Sequence, residues 1–203
     1  MKKDWKQHRN SVYYSLGIPH PIEVGYGRAI GEGKSLGLAV GQIARNLRPG
    51  KGMSDLRASM THAEMRYLAT PKAQRPPFWG VSLGYQKLSL SGTKHTNLNY
   101  QEIEVPVDLK ARVEVEAFYW TPQAGMHWEW ESGFFYNFVV GVQIPFYAKS
   151  RVKAKFSEDP ILDEAVKSTE SYQKLEGDVE HLAERYGRLA IVLIKLVEIG
   201  WEF

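Results

Sequence analysis

The sequence predicts an all-β fold: an up-and-down antiparallel transmembrane barrel of about eight strands, with a helical insertion before the last strand, in one domain spanning 1–203. Apolar and aromatic residues alternate with small or polar ones in segment after segment, as in strands with one face in lipid. Short and long connections alternate along the chain. No run approaches the ~18 apolar residues of a transmembrane helix, although the chain holds 6 Trp, 11 Tyr and 8 Phe.

The period-two pattern marks the strands in order. In each strand an apolar set opposes a set that is mostly Gly, Ser and Ala with scattered charges, which suits a narrow packed interior better than a solvated exterior. The apolar sets are Val12, Tyr14, Leu16 and Ile18; Ile22, Val24 and Tyr26; Leu36, Leu38 and Val40; Ala63, Met65 and Tyr67; Trp79, Val81, Leu83 and Tyr85; Val113 and Val115; even positions from Phe134 to Phe146; and Val197, Ile199, Trp201 and Phe203. The sequence therefore predicts lipid outside and polar groups inside.

The connections between these strands differ in length at the two ends of the barrel. Short turns are predicted at 31–34, 72–77 and 131–133, and Gly133 suits the left-handed position of a three-residue hairpin that pairs Trp130 with Phe134. Long loops are predicted at 44–58, 92–106 and 148–188. Tight turns on one side and long loops on the other are typical of membrane barrels.

The segment from Leu109 to Trp130 is long for one strand and contains TPQAG at 121–125. Its apolar parity changes from odd at Val113 and Val115 to even at Trp128 and Trp130. A β-bulge inserts one residue and reverses parity, so we expect one long bulged strand. The alternative is a turn at 121–125, but it would leave MHWEW, which is too short to span at ~9–11 residues.

A helical region at 158–187 precedes the last strand. Asp159 is placed as its N-cap, Pro160 as its first helical residue and Gly187 as its terminator, with Gly177 as a candidate break between two helices. Apolar residues recur in it at three-to-four spacing, from Leu162 to Tyr186. An eight-stranded barrel is filled by its own side chains, so this region is expected on the outer rim.

Six charged residues share the non-apolar face of the predicted strands. They are Glu64, Arg66, Arg112, Glu114, Glu116 and Glu198. Inside a narrow barrel these charges must pair, because an unpaired charge there is costly. We expect a structural network that fills the lumen; the alternative, a conducting or proton-relay path, requires a wider bore.

Aromatic residues at strand ends predict girdles where lipid meets water. They are Tyr13, Tyr14, Trp79, Tyr85, Trp128, Trp130, Phe134 and Trp201. Beyond one girdle, Lys149, Arg151, Lys153 and Lys155 alternate along one strand face. These cations could hold lipopolysaccharide phosphates or serve as the docking face for the acidic helical region.

The composition limits the chemistry. The chain has no cysteine, so disulfides and thiolate chemistry are excluded, and a net charge of +3 is too small to indicate nucleic acid. Of six histidines, His62 lies near Ser59 and Glu64 in sequence, but that spacing is common. The sequence therefore predicts no catalytic residues, no metal site and no cofactor.

The terminal KLVEIGWEF resembles the assembly signal of bacterial outer-membrane β-barrel proteins, and the strand pattern resembles their small eight-stranded class. The resemblance implies that Val197, Ile199, Trp201 and Phe203 are read by the barrel-insertion machinery. It also implies location in the bacterial outer membrane, with 1–10 periplasmic and PHP at 19–21 an outer turn. An export signal is absent from this chain and is expected to have been removed.

Three functions follow for such a barrel. The first is a non-enzymatic envelope structural or interaction protein that contacts outer-membrane lipid, and an envelope protein partner through 158–187. The second is a lipid A-modifying enzyme, since two small-barrel types are known to act on lipid A with a His and a Ser. The third is a soluble ligand-binding β-barrel.

Overall fold

The computed structural model describes residues 10–48, 53–70, 77–100, 103–156, 160–168 and 170–203. Eight antiparallel strands form a closed barrel in the order β1 to β8, and β1 pairs with both β2 and β8. The strands are β1 (Asn10–Ile18), β2 (Glu23–Gly31), β3 (Lys34–Asn46), β4 (Met53–Ala69), β5 (Phe78–Tyr100), β6 (Ile103–Glu129), β7 (Phe134–Lys155) and β8 (Ile191–Glu202); two helices, α1 (Pro160–Lys167) and α2 (Glu170–Gly187), precede β8. The predicted fold class and the helical insertion are confirmed.

The short turns predicted at 31–34 and 131–133 are confirmed, whereas the one predicted at 72–77 lies outside the described residues except for 77. Gly133 has φ 85°, and the ring of Trp130 lies 5.2 Å from that of Phe134 across this hairpin. The predicted long loops are wrong in large part, because β5 and β6 continue to Tyr100 and Ile103 and β7 continues to Lys155. The barrel wall on the β5–β7 side therefore rises far above the β1–β2 turn.

The predicted bulge at 121–125 is also wrong. β6 pairs with β5 without a register shift from Ile103 to Gly125, and the extra residue lies in β7, where Phe118 pairs with Tyr147 and Tyr119 with Pro145. Phe146 is therefore the bulged residue. The parity of apolar residues changes along β6 because the environment changes: lipid meets the outward residues low on the strand, and α2 covers the inward residues above.

The helical region begins at Pro160 and ends at Gly187, as predicted, whereas Asp159 lies outside the described residues. The prediction of a break at Gly177 is wrong, since α2 runs through it from Glu170 to Gly187. A single glycine lowers helix stability by only about 1 kcal/mol relative to alanine, so packing against the sheet can retain the helix there. Neither described helix is long and apolar enough to cross a membrane.

Helix α2 packs against β7 and β6 above the membrane-facing part of the barrel. β8 pairs with β7 only as far as Gln143, which leaves the edge of β7 above that residue without a strand. Glu180 of α2 covers this edge: its carboxylate accepts from Val152 N at 3.0 Å and its carbonyl accepts from Ser150 Oγ at 2.6 Å. The helix thus supplies partners that a missing strand would have supplied.

Large apolar side chains cover the outside of the barrel. Leu38, Leu83 and Val192 are 61%, 51% and 60% exposed, while the inward positions hold the buried polar residues. A soluble ligand-binding barrel has its apolar residues inside and its polar residues outside. The observed arrangement is the opposite, and it contradicts the prediction of a soluble barrel.

Aromatic side chains form two clusters on this apolar outside. The lower one includes Trp128, Trp130 and Phe134, and the upper one includes Tyr85 and Phe118, whose rings are 5.1 Å apart. Trp128 and Phe118 are ten residues apart on β6, about 24 Å along the membrane normal for a strand tilted ~45°. The prediction that Tyr13 belongs to a girdle is wrong, because its side chain is 8% exposed and points into the barrel.

Buried rings inside the barrel lie directly over glycines of the neighbouring strand. A Cβ built on Gly25 would lie 2.0 Å from the ring of Tyr13, and one built on Gly84 would lie 2.3 Å from the ring of Tyr119. Each ring and its glycine are paired residues in the ladder; the full set is Tyr13–Gly25, His62–Gly41, Phe78–Gly125, Tyr119–Gly84 and Phe135–Gly200. These five inward-facing glycines, which have no side chain, therefore leave the space that the rings filling the lumen occupy.

Candidate functional site: the charged lumen and the basic upper face

A network of buried ion pairs lies at the centre of the lumen. Arg66 donates from Nη1 to Glu198 Oε2 at 2.8 Å, and its Nε lies 3.3 Å from Glu64 Oε1. Lys195 Nζ lies between two carboxylates, 2.8 Å from Glu64 and 2.6 Å from Glu23. The side chains of Arg66, Lys195, Glu23, Glu64 and Glu198 are all nearly inaccessible to solvent.

Polar groups extend this network toward both ends of the barrel. Below, Asn137 Nδ2 donates to Glu198 Oε1 at 2.8 Å and Asn137 Oδ1 lies 2.6 Å from His127 Nδ1. At the same level, Arg66 stacks on the Tyr13 ring with its guanidinium carbon 4.6 Å from the ring centroid. The ion pairs of Arg66 and Lys195 hold the barrel together across the lumen, since they join β8 to β4 and β2, which are not its neighbours.

A pair of histidines lies at the upper end of the network. The rings of His20 and His62 stack with centroids 3.8 Å apart and planes 10° apart. Glu23 Oε1 lies 3.2 Å from His20 Nδ1 and 3.0 Å from His62 Nε2. These three residues come from the β1–β2 turn, the start of β2 and the middle of β4, and none is more than 5% exposed.

Of the six residues predicted to share the lumen, the structure brings Glu64, Arg66 and Glu198 together. The placement of the other three, Arg112, Glu114 and Glu116, is wrong. In β6 the inward residues are odd, as Ala117, Tyr119, Thr121 and Gln123 are buried, so these three point outward with Phe118 and Trp120. Glu114 and Glu116 pair there with Lys87 at 3.1 and 3.2 Å, and Arg112 pairs with Glu114 at 2.7 Å.

Two members of the lumen network were missed by the sequence. Glu23 has the same parity as Gly25 on the small-residue face of β2, and that parity was the available signal. Lys195 has the parity of the lipid-facing Val197, but a bulge at Leu196 turns it inward, since Leu16 pairs with Val197 and Gly17 with Lys195. A one-residue bulge leaves no mark in the alternation before it, so only pairing reveals it.

The basic upper face is the outward row Lys149, Arg151, Lys153 and Lys155 on β7. The prediction that α2 docks on this row is wrong. α2 bonds to Ser150 and Val152, whose side chains have the opposite parity. The row instead lies beside β6, where Lys149 faces Glu116, Arg151 faces Glu114 and Lys153 faces Arg112.

The two acids beside this face, Glu114 and Glu116, both have a cationic partner on β5. A hydrogen bond from Lys87 lowers the pKa of the Glu114 carboxyl, with Arg112 as a further cause, and the same bond raises the pKa of the Lys87 ammonium. Both acids are thus engaged by Lys87 from β5. No ion pair within the described part of the chain joins Lys149, Arg151 or Lys153.

The histidine considered for catalysis has other partners. His62 faces inward against Glu23 and His20, whereas Ser59 is on the opposite face of β4. His181 is exposed on α2, and His8 lies outside the described residues. The structure thus does not bring His62 and Ser59 together as a catalytic pair.

The residues of the predicted assembly signal lie at the lower end of β8. Ile199, Trp201 and Phe203 point outward and are 37%, 47% and 55% exposed. The last residue is held in the ring, because Asn10 and Phe203 exchange two backbone hydrogen bonds of 3.0 and 2.8 Å. The N-terminal segment 1–9 lies outside the described residues.

Comparison with known proteins addresses the fold. No family model and no curated protein matches the sequence. The chain is similar to the crystal structure of Acinetobacter baumannii CarO2, with a TM-score of 0.53 and 10% identity over 97% of this chain and 98% of that one. It is also similar to the crystal structure of Acinetobacter baumannii CarO, with a TM-score of 0.50 and 12% identity over 99% of this chain and 100% of that one. The chain therefore has the fold of the small eight-stranded outer-membrane β-barrel proteins.

Proposed function

We propose that this protein is a non-enzymatic barrel of the bacterial outer membrane that acts as an envelope interaction protein, and that its basic upper face binds the phosphate groups of lipopolysaccharide. The observation that carries the proposal is the excess of positive charge on this face. Lys149, Arg151 and Lys153 lie opposite Glu116, Glu114 and Arg112, and the two acids already pair with Lys87. A surface patch on which cations outnumber acids attracts anionic ligands.

The position of the face supports the same ligand. Lys149 is two residues beyond Tyr147, whose ring lies 6.1 Å from Phe118 in the upper aromatic cluster. Aromatic clusters of this kind mark the boundary between hydrocarbon and headgroups. The cations above it therefore lie at the depth of lipid phosphates, to which Arg and Lys donate charge-assisted hydrogen bonds.

The interior supports a role without catalysis or conduction. Arg66, Tyr119, Lys195, His20 and Gln143 are among the largest fully buried side chains, and they occupy the middle and upper parts of the lumen. A bore filled in this way leaves the outer surface and the rim as the parts that meet a partner.

Substitution of three cations tests this proposal. The triple variant K149Q/R151Q/K153Q is expected to bind lipid A micelles about tenfold or more weakly, since exposed ion pairs contribute ~0.2–1 kcal/mol each. Binding is measured by tryptophan fluorescence of the detergent-folded chain, with bis-phosphorylated and dephosphorylated lipid A as probes. The matched control R28Q/K34Q/R185Q removes three exposed cations elsewhere and should bind as the wild type does. Equal affinity of the wild type for both lipids would refute the proposal.

A second candidate function is contact with an envelope protein through α2. Leu182 and Tyr186 are one turn apart and are 53% and 64% exposed, although the opposite side of the helix meets the sheet. A photo-crosslinking residue at Leu182 is expected to trap one heterologous protein in intact cells, and the same residue at the exposed Lys174 should trap far less. Equal, weak labelling from both positions would count against a partner on this face.

A further inference from the structure

We propose that His20, Glu23 and His62 form a binding site for a divalent transition-metal ion of the zinc class at the upper end of the lumen. Their side-chain ligand atoms lie within 4.8 Å of one another, and all three residues are buried. Two imidazoles and one carboxylate are a donor set that zinc accepts, with a fourth position left for water. The sequence predicted no metal site, because His62 is 39 residues from Glu23 and no ligand spacing is visible.

The separations of the ligand atoms fit an ion between them. Glu23 Oε1 lies 3.2 Å from His20 Nδ1 and 3.0 Å from His62 Nε2. Ligands at ~2.0–2.1 Å from a tetrahedral zinc ion are roughly 3.3 Å from each other. The two rings are stacked with planes 10° apart, so one imidazole must turn about its side-chain bonds before both lone pairs can point at a single ion.

The hydrogen bonding of His20 supplies an independent reason for a cation. Its Nε2 lies 3.4 Å from Gln86 Oε1, which also accepts from Gln143 Nε2 at 2.8 Å. This contact favours the tautomer with the hydrogen on Nε2, and in that neutral ring Nδ1 presents a lone pair to the carboxylate of Glu23. Among the described residues, neither His20 Nδ1 nor His62 Nδ1 has a hydrogen-bond partner. A metal ion between the lone pair and the carboxylate turns an unfavourable contact into two bonds.

The charge of the lumen favours the same occupant. The five charged residues of the network are the carboxylates of Glu23, Glu64 and Glu198 and the cations Arg66 and Lys195, so negative charge is in excess. Lys195 pairs with Glu23 Oε2, so the carboxylate oxygen that faces the two histidines is Oε1. Polar contacts on the far side of a ligand, here Lys195 with Glu23 and Gln86 with His20, are the usual support of a metal site.

The ligand types and the position of His20 restrict the ion. Imidazole nitrogen favours zinc, copper and nickel over calcium and magnesium, which prefer oxygen ligands alone. His20 lies in the turn between β1 and β2, flanked by Pro19 and Pro21, and is 1% exposed, so an ion bound there would be shielded from bulk solvent.

Metal titration of the untagged full chain tests the proposal. The chain is folded in detergent, treated with a chelator that is then removed, and titrated with Zn²⁺ against a chromophoric competitor. We expect one saturable site per chain, and at least tenfold weaker binding in His20→Gln and in His62→Gln. His181→Gln alters an exposed histidine on α2 and should bind as the wild type does. Absence of a 1:1 site in the wild type, or undiminished binding in both lumen variants, would overturn the proposal.

A second measurement does not depend on the variants folding. Co²⁺ added to the wild-type chain is expected to give the visible absorption bands of a four-coordinate nitrogen and oxygen site, and Zn²⁺ should displace it. The temperature at which the folded band disappears on electrophoresis should rise with Zn²⁺ and not with Mg²⁺. Octahedral, weakly coloured Co²⁺ with no thermal shift would show that the three residues do not bind as a set.

Discussion

Arg66→Leu is expected to destabilise the folded barrel by about 3–5 kcal/mol, because it leaves buried carboxylates without their cation. Glu198 loses two bonds from the guanidinium and retains only Asn137 as a polar partner in the contacts described above. Glu64 is less affected, since Lys195 remains 2.8 Å away. The free energy is measured by urea unfolding in detergent, followed by tryptophan fluorescence and by the loss of the compact band on electrophoresis.

A double variant separates the cost of leaving the Glu198 carboxylate unpaired from the cost of losing the packing of the Arg66 side chain. Arg66→Leu combined with Glu198→Gln removes the uncompensated charge, so it should recover part of the stability that the single variant loses. Lys34→Leu changes an exposed cation at the β2–β3 turn and should stay within ~0.5 kcal/mol of the wild type. A loss below 1 kcal/mol for Arg66→Leu would mean that the network contributes little to folding.

Gly84→Val is expected to reduce stability at the upper end of the ~1–3 kcal/mol range for overpacking, or to prevent folding. Its Cβ would lie 2.3 Å from the ring of Tyr119, which is fully buried. The yield of compact band after refolding from urea measures the effect.

Gly31→Ala is the matched control, because a Cβ there meets nothing within 4 Å. Adding Tyr119→Ala to Gly84→Val removes the ring in the way, so the double variant should be more stable than the sum of the two single losses predicts. Strictly additive losses would show that the ring does not depend on its glycine for space.

The sequence predicts the membrane-spanning part of this fold well because every strand there has lipid on its outward side and the packed lumen on its inward side. Outward residues such as Leu38 and Leu83 meet lipid and inward ones such as Gly37 and Gly84 meet packed rings, so period two survives. Above the membrane the environments exchange: Arg112 and Lys153 face water, while Val113 and Val115 face inward on the side that α2 covers. Above the membrane the alternation therefore predicts the wrong face for each residue, and it places Glu114 and Glu116 in the lumen although they lie outside.

The lumen site was only partly predictable for a different reason. Glu64, Arg66 and Glu198 follow the parity of their strands, but Lys195 is turned inward by the bulge at Leu196. His20 lies outside any strand, so periodicity assigns it no face at all. The pairing of His20 with His62 depends on how four strands and a turn meet across the lumen, which no local pattern encodes.

The unequal lengths of β7 and β8 set the route by which the chain returns to the membrane. β7 has 22 residues and β8 has 12, so β7 continues beyond Gln143 for about 40 Å along the strand, at ~3.3 Å per residue. The ring of Phe156, just after β7, contacts Tyr172 near the start of α2, and Gly187 at the end of α2 lies beside Ala148. α2 therefore makes the descent by itself: at ~1.5 Å per residue its 18 residues span about 27 Å, which matches the ~26 Å of strand between Ala148 and Phe156. Shortening α2 by a turn would therefore require β7 to lose about two residues from its upper end.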